Sequence, residues 1–199
     1  MTLVPHSSAE LIGFIESSDY TDIIFDFDKT LYHLIIEWSS FKNNMIAHKQ
    51  KTWFWDYPGN LHAMIVAMLE QWGATQKKII DAMFLDAETH HLKSIDTNER
   101  LVDFIQHNAN KYNFYIVSNN MEATIEWVLE DRDMKKYFQH ILWRGSALFS
   151  KPNPEALELV MSKLQKDKKN FLMVGDSIDS DIEAASRAGI DSYLIDMYI

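Results

Sequence analysis

Residues 21–31 read TDIIFDFDKTL, an apolar run that ends in two carboxylates one residue apart, followed by a lysine and a threonine. Ile23, Ile24, Phe25 and Phe27 are β-branched or aromatic, so the stretch is expected to be a central, buried strand of a parallel sheet. In open α/β sheets ligands collect beyond the carboxyl ends of the strands. That delivers Asp26 and Asp28 to a crevice, on one side by the period-two rule. Two carboxylates so close both stay ionised only if they share a cation or one takes up a proton. A strand followed by an acidic turn reads the same way, so the pair gains meaning only from companions.

Working outward, residues 8–17 carry an amphipathic helix with Ser7 or Ser8 as its cap. From residue 33 to about 95 no strand pattern is evident. Helices are expected over roughly 34–52, 61–72 and 76–91, broken at Asp56, Tyr57, Pro58 and Gly59 and again at Gly73. An all-helical excursion of about 60 residues is far longer than an ordinary βα loop and points to a separately folded or functional insertion. From Thr97 the pattern alternates regularly: helix 98–108, strand 113–117, helix 122–130, strand 140–143, helix 154–165, strand 171–174, helix 179–188 and strand 192–195. The fold class is therefore α/β, a doubly wound, Rossmann-like parallel sheet core with an inserted α-helical cap domain. Residues 1–32 and 95–199 form the core and residues 33–94 the cap.

The companions of the acidic pair stand at the other strand ends. The second ends in Ser118, Asn119 and Asn120 before a helix: a hydroxyl, two amides and unpaired N–H groups that suit an oxyanion, although all three are also ordinary caps. After the third come Ser150, Lys151, Pro152, Asn153 and Pro154, where two prolines restrict the backbone around a lysine. The fourth ends in Gly175 and Asp176, with Asp181 five residues on. Carboxylates and a backbone carbonyl are hard ligands suited to Mg²⁺. With Mg²⁺ and Lys151 neutralising an incoming phosphate, a carboxylate can act as nucleophile at phosphorus.

The whole-chain properties agree. The chain has 199 residues, a formal charge of −10 and no cysteine, so disulfides, thiolate metal sites and cysteine nucleophiles are excluded. The negative charge disfavours nucleic acid as a partner. The longest apolar run, residues 63–69, is too short for a membrane span, and the N-terminal residues do not read as a secretory signal, so a cytoplasmic location is expected. A monomer or weak homodimer is expected. Residues 166–169 are read as the solvated end of a helix.

The motifs DxDxT at 26–30, Ser118, Lys151 and GDxxxxD at 175–181 resemble those of the haloacid dehalogenase superfamily of phosphohydrolases, from about Tyr20 onward. The helical insertion resembles the cap of its phosphoglycolate phosphatase and β-phosphoglucomutase branch. The resemblance implies an aspartyl-phosphate at Asp26, with Asp28 as general acid and then base. It implies Thr30, Ser118 and Asn119 around the phosphate, Lys151 steadying the transferring group, and Mg²⁺ held by Asp26, the Asp28 carbonyl and Asp176 with support from Asp181. The substrate implied is a small-molecule phosphate monoester, selected by the cap. Asp28 argues for phosphoryl transfer, because dehalogenases of the superfamily lack that second acid. Lys29 stands where many members have Gly, and either favours a more anionic substrate or points to solvent. A sugar phosphomutase and a phospho-accepting receiver domain are the alternatives. Within the insertion, Trp53, Phe54, Trp55 and Tyr57 read as packing core or as a stacking surface, and the neighbouring His90 and His91 have no evident acidic partner.

Overall fold

The computed structural model describes residues 4–51 and 61–199, the side chains of residues 49–51, 61–64, 66 and 72 excepted. In chain order the elements are α1 (Ser8–Glu16), β1 (Asp22–Phe25), β2 (Tyr32–Ile36), α2 (Ser39–Lys51), α3 (Leu61–His90), β3 (Leu92–Thr97), α4 (Glu99–Asn108), β4 (Asn113–Val117), α5 (Glu122–Asp131), β5 (Phe138–Leu142), α6 (Glu155–Leu164), β6 (Phe171–Gly175), α7 (Glu183–Ala188) and β7 (Asp191–Leu194). They divide into two compact units, Met1–Leu34 with Ile95–Ile199, and Ile35–Ser94.

The first unit is the expected parallel sheet, in the order β5-β4-β1-β6-β7. Its strands are nearly continuous apolar runs because both faces are covered. On one face Ile24, Tyr115 and Met173 pack with Leu157 and Val160 of α6 and with the alanines of α7. On the other, Phe25 meets Phe114, which in turn meets Phe104 of α4. The chain runs from β1 outward to β4 and β5 and then crosses to β6 and β7, so the strand order reverses at β1. The crevice at its carboxyl end is the topological switch point. Register aligns Phe25 with Ile116 and with Val174, and therefore sets Asp26 level with Val117 and Gly175.

α1 begins with a capping box in which Ser7 and Glu10 satisfy each other's backbone N–H groups. At the opposite edge of the sheet from the crevice, buried Asp22 accepts Tyr115 OH at 2.7 Å and Lys166 Nζ at 2.6 Å through Oδ1, and Thr21 Oγ1 at 2.6 Å through Oδ2. Lys166 is therefore not merely a solvated helix end: it neutralises a buried acid.

The second unit contains the expected helices in modified form. α2 starts at Ser39 rather than near residue 34, and Gly73 breaks the long α3 at φ 59°, ψ −141°, where the sequence places a stop. α2 and α3 pack together through Phe41 and Phe84, whose rings lie 4.4 Å apart, with Trp38 edge-on to both. His90 and His91 do have an acidic partner, Asp86, at 3.0 and 3.7 Å. The aromatic cluster at residues 53–57 and the turn at 58–59 lie outside the described residues.

The expectation of no strand between residues 33 and 95 is overturned at both ends. β2 and β3 pair as a two-stranded sheet, carrying the chain away from the core and back. Tyr32, Leu34 and Ile36 are buried and alternate with His33 and Ile35. The continuous apolar run Leu34, Ile35, Ile36 hides that period of two, and a short apolar run reads equally well as helix.

Asp22→Ala strands the Tyr115 hydroxyl and leaves Lys166 without its acid. The expected loss is about 2–4 kcal/mol, seen as a melting-temperature fall of roughly 5–12 °C by calorimetry. A fall under about 2 °C contradicts the structural role given to this network.

Candidate active site

Four strand ends converge on the crevice. β1 delivers Asp26, whose backbone N–H donates to Val174 O at 2.9 Å and so fixes it against β6. β4 delivers Ser118, β6 delivers Asp176, and the loop after β5 delivers Lys151. Lys151 is only 2% exposed, and its ammonium has three oxygen partners: Asp26 Oδ1 at 2.7 Å, Asp181 Oδ1 at 2.6 Å and Val117 O at 2.7 Å. Asp26 Oδ1 and Val117 O accept hydrogen bonds from it, and Asp181 Oδ1 faces it as an ion-pair partner without hydrogen-bond geometry.

Carboxylate oxygens of Asp26, Asp176 and Asp181 all lie within 4.8 Å of one another. Burial raises the Asp26 pKa above the usual carboxylate range; Lys151 opposes this, while Asp181 and Asp176 add to it. Burial and then the charge of Asp181 push Asp176 up to about 6. Three carboxylates and one ammonium leave a surplus of two negative charges, which one divalent cation cancels, and the donors are the hard oxygens that Mg²⁺ takes. The residues therefore fit such an ion.

Asp28 is turned elsewhere. Its Oδ1 accepts the Leu34 N–H of β2 at 2.8 Å, its carboxyl is not one of the three clustered acids, and burial raises its pKa while the Leu34 hydrogen bond lowers it. Thr30 is fully buried, and its hydroxyl has no hydrogen-bond partner among the described residues. Ser118 Oγ donates to Asn120 Oδ1 at 2.8 Å and accepts the Asn120 N–H at 3.1 Å. Asn119 brackets the backbone of Lys151: its Oδ1 accepts Lys151 N–H at 2.9 Å and its Nδ2 donates to Lys151 O at 3.1 Å.

Three residues that the sequence did not single out shape the site. Buried Arg144 donates from Nε to Asn119 O at 2.8 Å and from its backbone N to Asn120 O at 3.0 Å, so it holds the loop that holds Lys151. Asn98 caps α4 and donates from Nδ2 to Thr30 O and Ser8 Oγ, both at 2.9 Å, tying the loop after β1 to α1. Only its place before a helix hinted at a role. Tyr198 donates to Asp96 Oδ2 at 3.0 Å and pairs with His33, a link no local pattern announces. At Gly175 the requirement is space. A Cβ there would stand 2.3 Å from Asp181 Cγ and 2.5 Å from its Cβ.

A parallel sheet with a lysine-bridged acidic cluster at its switch point is a doubly wound α/β architecture with its polar site at the carboxyl ends of the strands. The family model for haloacid dehalogenase-like hydrolases matches residues 23–195, and the chain belongs to that family. A phosphoglycolate phosphatase of Vibrio parahaemolyticus is 38% identical over 78 residues, 39% of this chain and 34% of that protein. The pyrophosphatase PpaX of Oceanobacillus iheyensis is 34% identical over 77 residues, 39% of this chain and 36% of that protein. The matched stretch thus spans about a third of these curated relatives. Among solved structures, a haloacid dehalogenase-like hydrolase from Bacteroides fragilis superposes with a TM-score of 0.61 at 19% identity, over 87% of this chain and 86% of that one. No helix among the described residues is long and apolar enough to cross a membrane.

Gly175→Ala forces Asp181 away from Lys151. Overpacking and a disturbed buried ion pair together are expected to remove about 2–4 kcal/mol, read as a lower denaturant midpoint with an unchanged slope. A midpoint equal to that of the parent shows that Asp181 is not held as described.

Proposed function

We propose that the protein is a Mg²⁺-dependent phosphatase that hydrolyses a small phosphate monoester through an aspartyl-phosphate at Asp26. The observation that carries this reading is the buried Lys151 ammonium, shared by Asp26 and Asp181 beside Asp176. The names of the matched relatives, a phosphoglycolate phosphatase and a pyrophosphatase, support it.

Lys151 holds Asp26 Oδ1, and Oδ2 has no hydrogen-bond partner among the described residues, which leaves it as the attacking atom. Asp26 Oδ2 forms the bond to phosphorus as the bond to the leaving oxygen breaks, and Asp28 gives its proton to the departing alkoxide. Asp28 then takes a proton from water, whose oxygen attacks phosphorus and releases Asp26 and inorganic phosphate. The raised pKa of Asp28 suits the first step, since an acid must hold its proton until the leaving group needs it. Mg²⁺ would be held by Asp26, Asp176 and the Asp28 carbonyl with support from Asp181, and would supply neutralising charge for the phosphoryl oxygens. Thr30, Ser118 and Asn119 serve the phosphoryl oxygens or shape the loops that hold them. The substrate is a small molecule, the location cytoplasmic and the assembly a monomer or weak homodimer.

Asp26→Asn should reduce Mg²⁺-dependent phosphate release by a factor of about 10⁴ or more while leaving the circular dichroism unchanged. Retention of more than a few per cent of parental turnover removes Asp26 from the nucleophile role.

The acidic cluster also sets a pH dependence. Asp176 and Asp26 carry raised pKa values, so the folded state binds protons that the unfolded state has released. In chelator, stability should therefore fall as pH rises from the ordinary carboxylate range through about 6, and further as Asp26 ionises. Millimolar Mg²⁺ should flatten that fall by binding the deprotonated cluster. A metal-free melting temperature that rises from pH 5 to 8 contradicts this account.

A further inference from the structure

Lys29 follows the acidic pair and holds φ at 61°, a left-handed conformation that glycine adopts freely and a long side chain adopts at a cost. The turn is closed by its backbone N–H, which donates to Tyr32 O at 2.5 Å. A residue kept in strain inside a functional loop invites the question of what its side chain does. The Lys29 ammonium makes no ion pair or hydrogen bond among the described residues. It lines a cavity of about 450 Å³ between the nucleophile loop and the segment after β7, together with His33, Asp176, Ile178, Leu194 and Tyr198.

The cavity wall is built. Tyr198 is 62% exposed, yet its hydroxyl donates to Asp96 Oδ2 at 3.0 Å. A phenol has one proton, so the same oxygen accepts the Nδ1–H of His33. The two rings meet edge-on at 5.7 Å. Of the acids on the lining, Asp176 belongs to the metal cluster and Asp196 accepts the Tyr198 amide N–H at 2.9 Å. Lys29 is left as the cavity's unpaired cation among the described residues. Lys29 follows Asp28 in the chain and shares this cavity wall with Asp176, so the cavity adjoins the acidic cluster.

We propose that this cavity receives the leaving group of the ester, and that Lys29 selects leaving groups bearing a second anionic group, carboxylate or phosphoryl. Ile178 and Leu194 offer an apolar surface to the carbon skeleton between the two anions. Lys29 is a specificity-determining residue here, and the inference rests on the phosphatase reading above.

The test compares phosphoglycolate, pyrophosphate and glycerol 3-phosphate, whose leaving groups carry a carboxylate, a phosphoryl group and neutral hydroxyls. One charge-assisted contact predicts a kcat/KM advantage of about tenfold or more for at least one dianionic partner over glycerol 3-phosphate, expressed mainly in KM. Lys29→Gln, which removes the charge but keeps a polar, unbranched side chain and the backbone strain, should bring that ratio close to one, and Lys29→Arg should restore most of it. Whether the carboxylate or the phosphoryl arm shows the advantage identifies the anion. A Gln variant that keeps the parental ratio overturns the proposal, as does a parent protein with no preference. Calorimetric dissociation constants for the same compounds on the Asp26→Asn protein, with and without Lys29→Gln, separate the two readings. If nothing is hydrolysed but the binding preference is present and lost in Gln, the phosphatase reading fails and the anion subsite stands. If no binding preference exists, the subsite fails whatever the turnover.

Discussion

The Lys151 ammonium is the point on which the site depends. A charge this deeply buried is tolerated only when it is compensated, and here Asp26 and the Val117 carbonyl accept its hydrogen bonds while Asp181 pairs with its charge. The same contact links three separate pieces of chain: the end of β1, the end of β4 and the turn after β6. Because the opposing charges are unequal in number, the arrangement leaves its acids under mutual repulsion, and burial intensifies it. On the function proposed above, such tension at the mouth of the sheet suits a cation and an anion that arrive together, which is the electrostatic demand of phosphoryl transfer.

Everything near that contact serves to keep it in place. The parallel register sets Asp26 beside Val117 and Gly175. The missing side chain of Gly175 admits Asp181, and Ser177 N–H donates to Asp181 Oδ2 at 3.1 Å from the other side. Asn119 holds the backbone of Lys151, and Arg144 holds the backbone of Asn119, so the lysine is positioned through two successive layers of hydrogen bonds. Supporting shells of this kind confine a reactive group to a narrow range of geometry.

Legibility in the sequence followed distance along the chain. DxDxT and GDxxxxD could be read because their members are neighbours, and the alternation of strands and helices brought the four strand ends to one edge. The bracket between Asn119 and Lys151 spans 32 residues and the Asn98–Ser8 contact spans 90, so neither leaves a local pattern. Arg144 looked like a loop residue, and nothing in its surroundings announced that it would be buried. β2 is hidden because three successive apolar residues conceal the alternation that marks a strand. Asn119 was grouped with the phosphate ligands by its place beside Ser118, yet its amide is engaged with Lys151.

The missed strand bears on the two acids with which the chain was first read. Asp26 and Asp28 share a side of β1 by spacing alone, but their surroundings divide them. Asp26 lies against Lys151 and two further carboxylates, whereas Asp28 accepts a neutral amide from Leu34 in β2. Burial raises the pKa of both; Lys151 opposes this at Asp26, and the Leu34 amide opposes it at Asp28. What separates the surroundings of the two carboxyls therefore includes β2, the element the apolar run concealed. A helix begun at residue 34 would have had to use Leu34 N–H otherwise, and Asp28 would lack the one hydrogen bond that orients it.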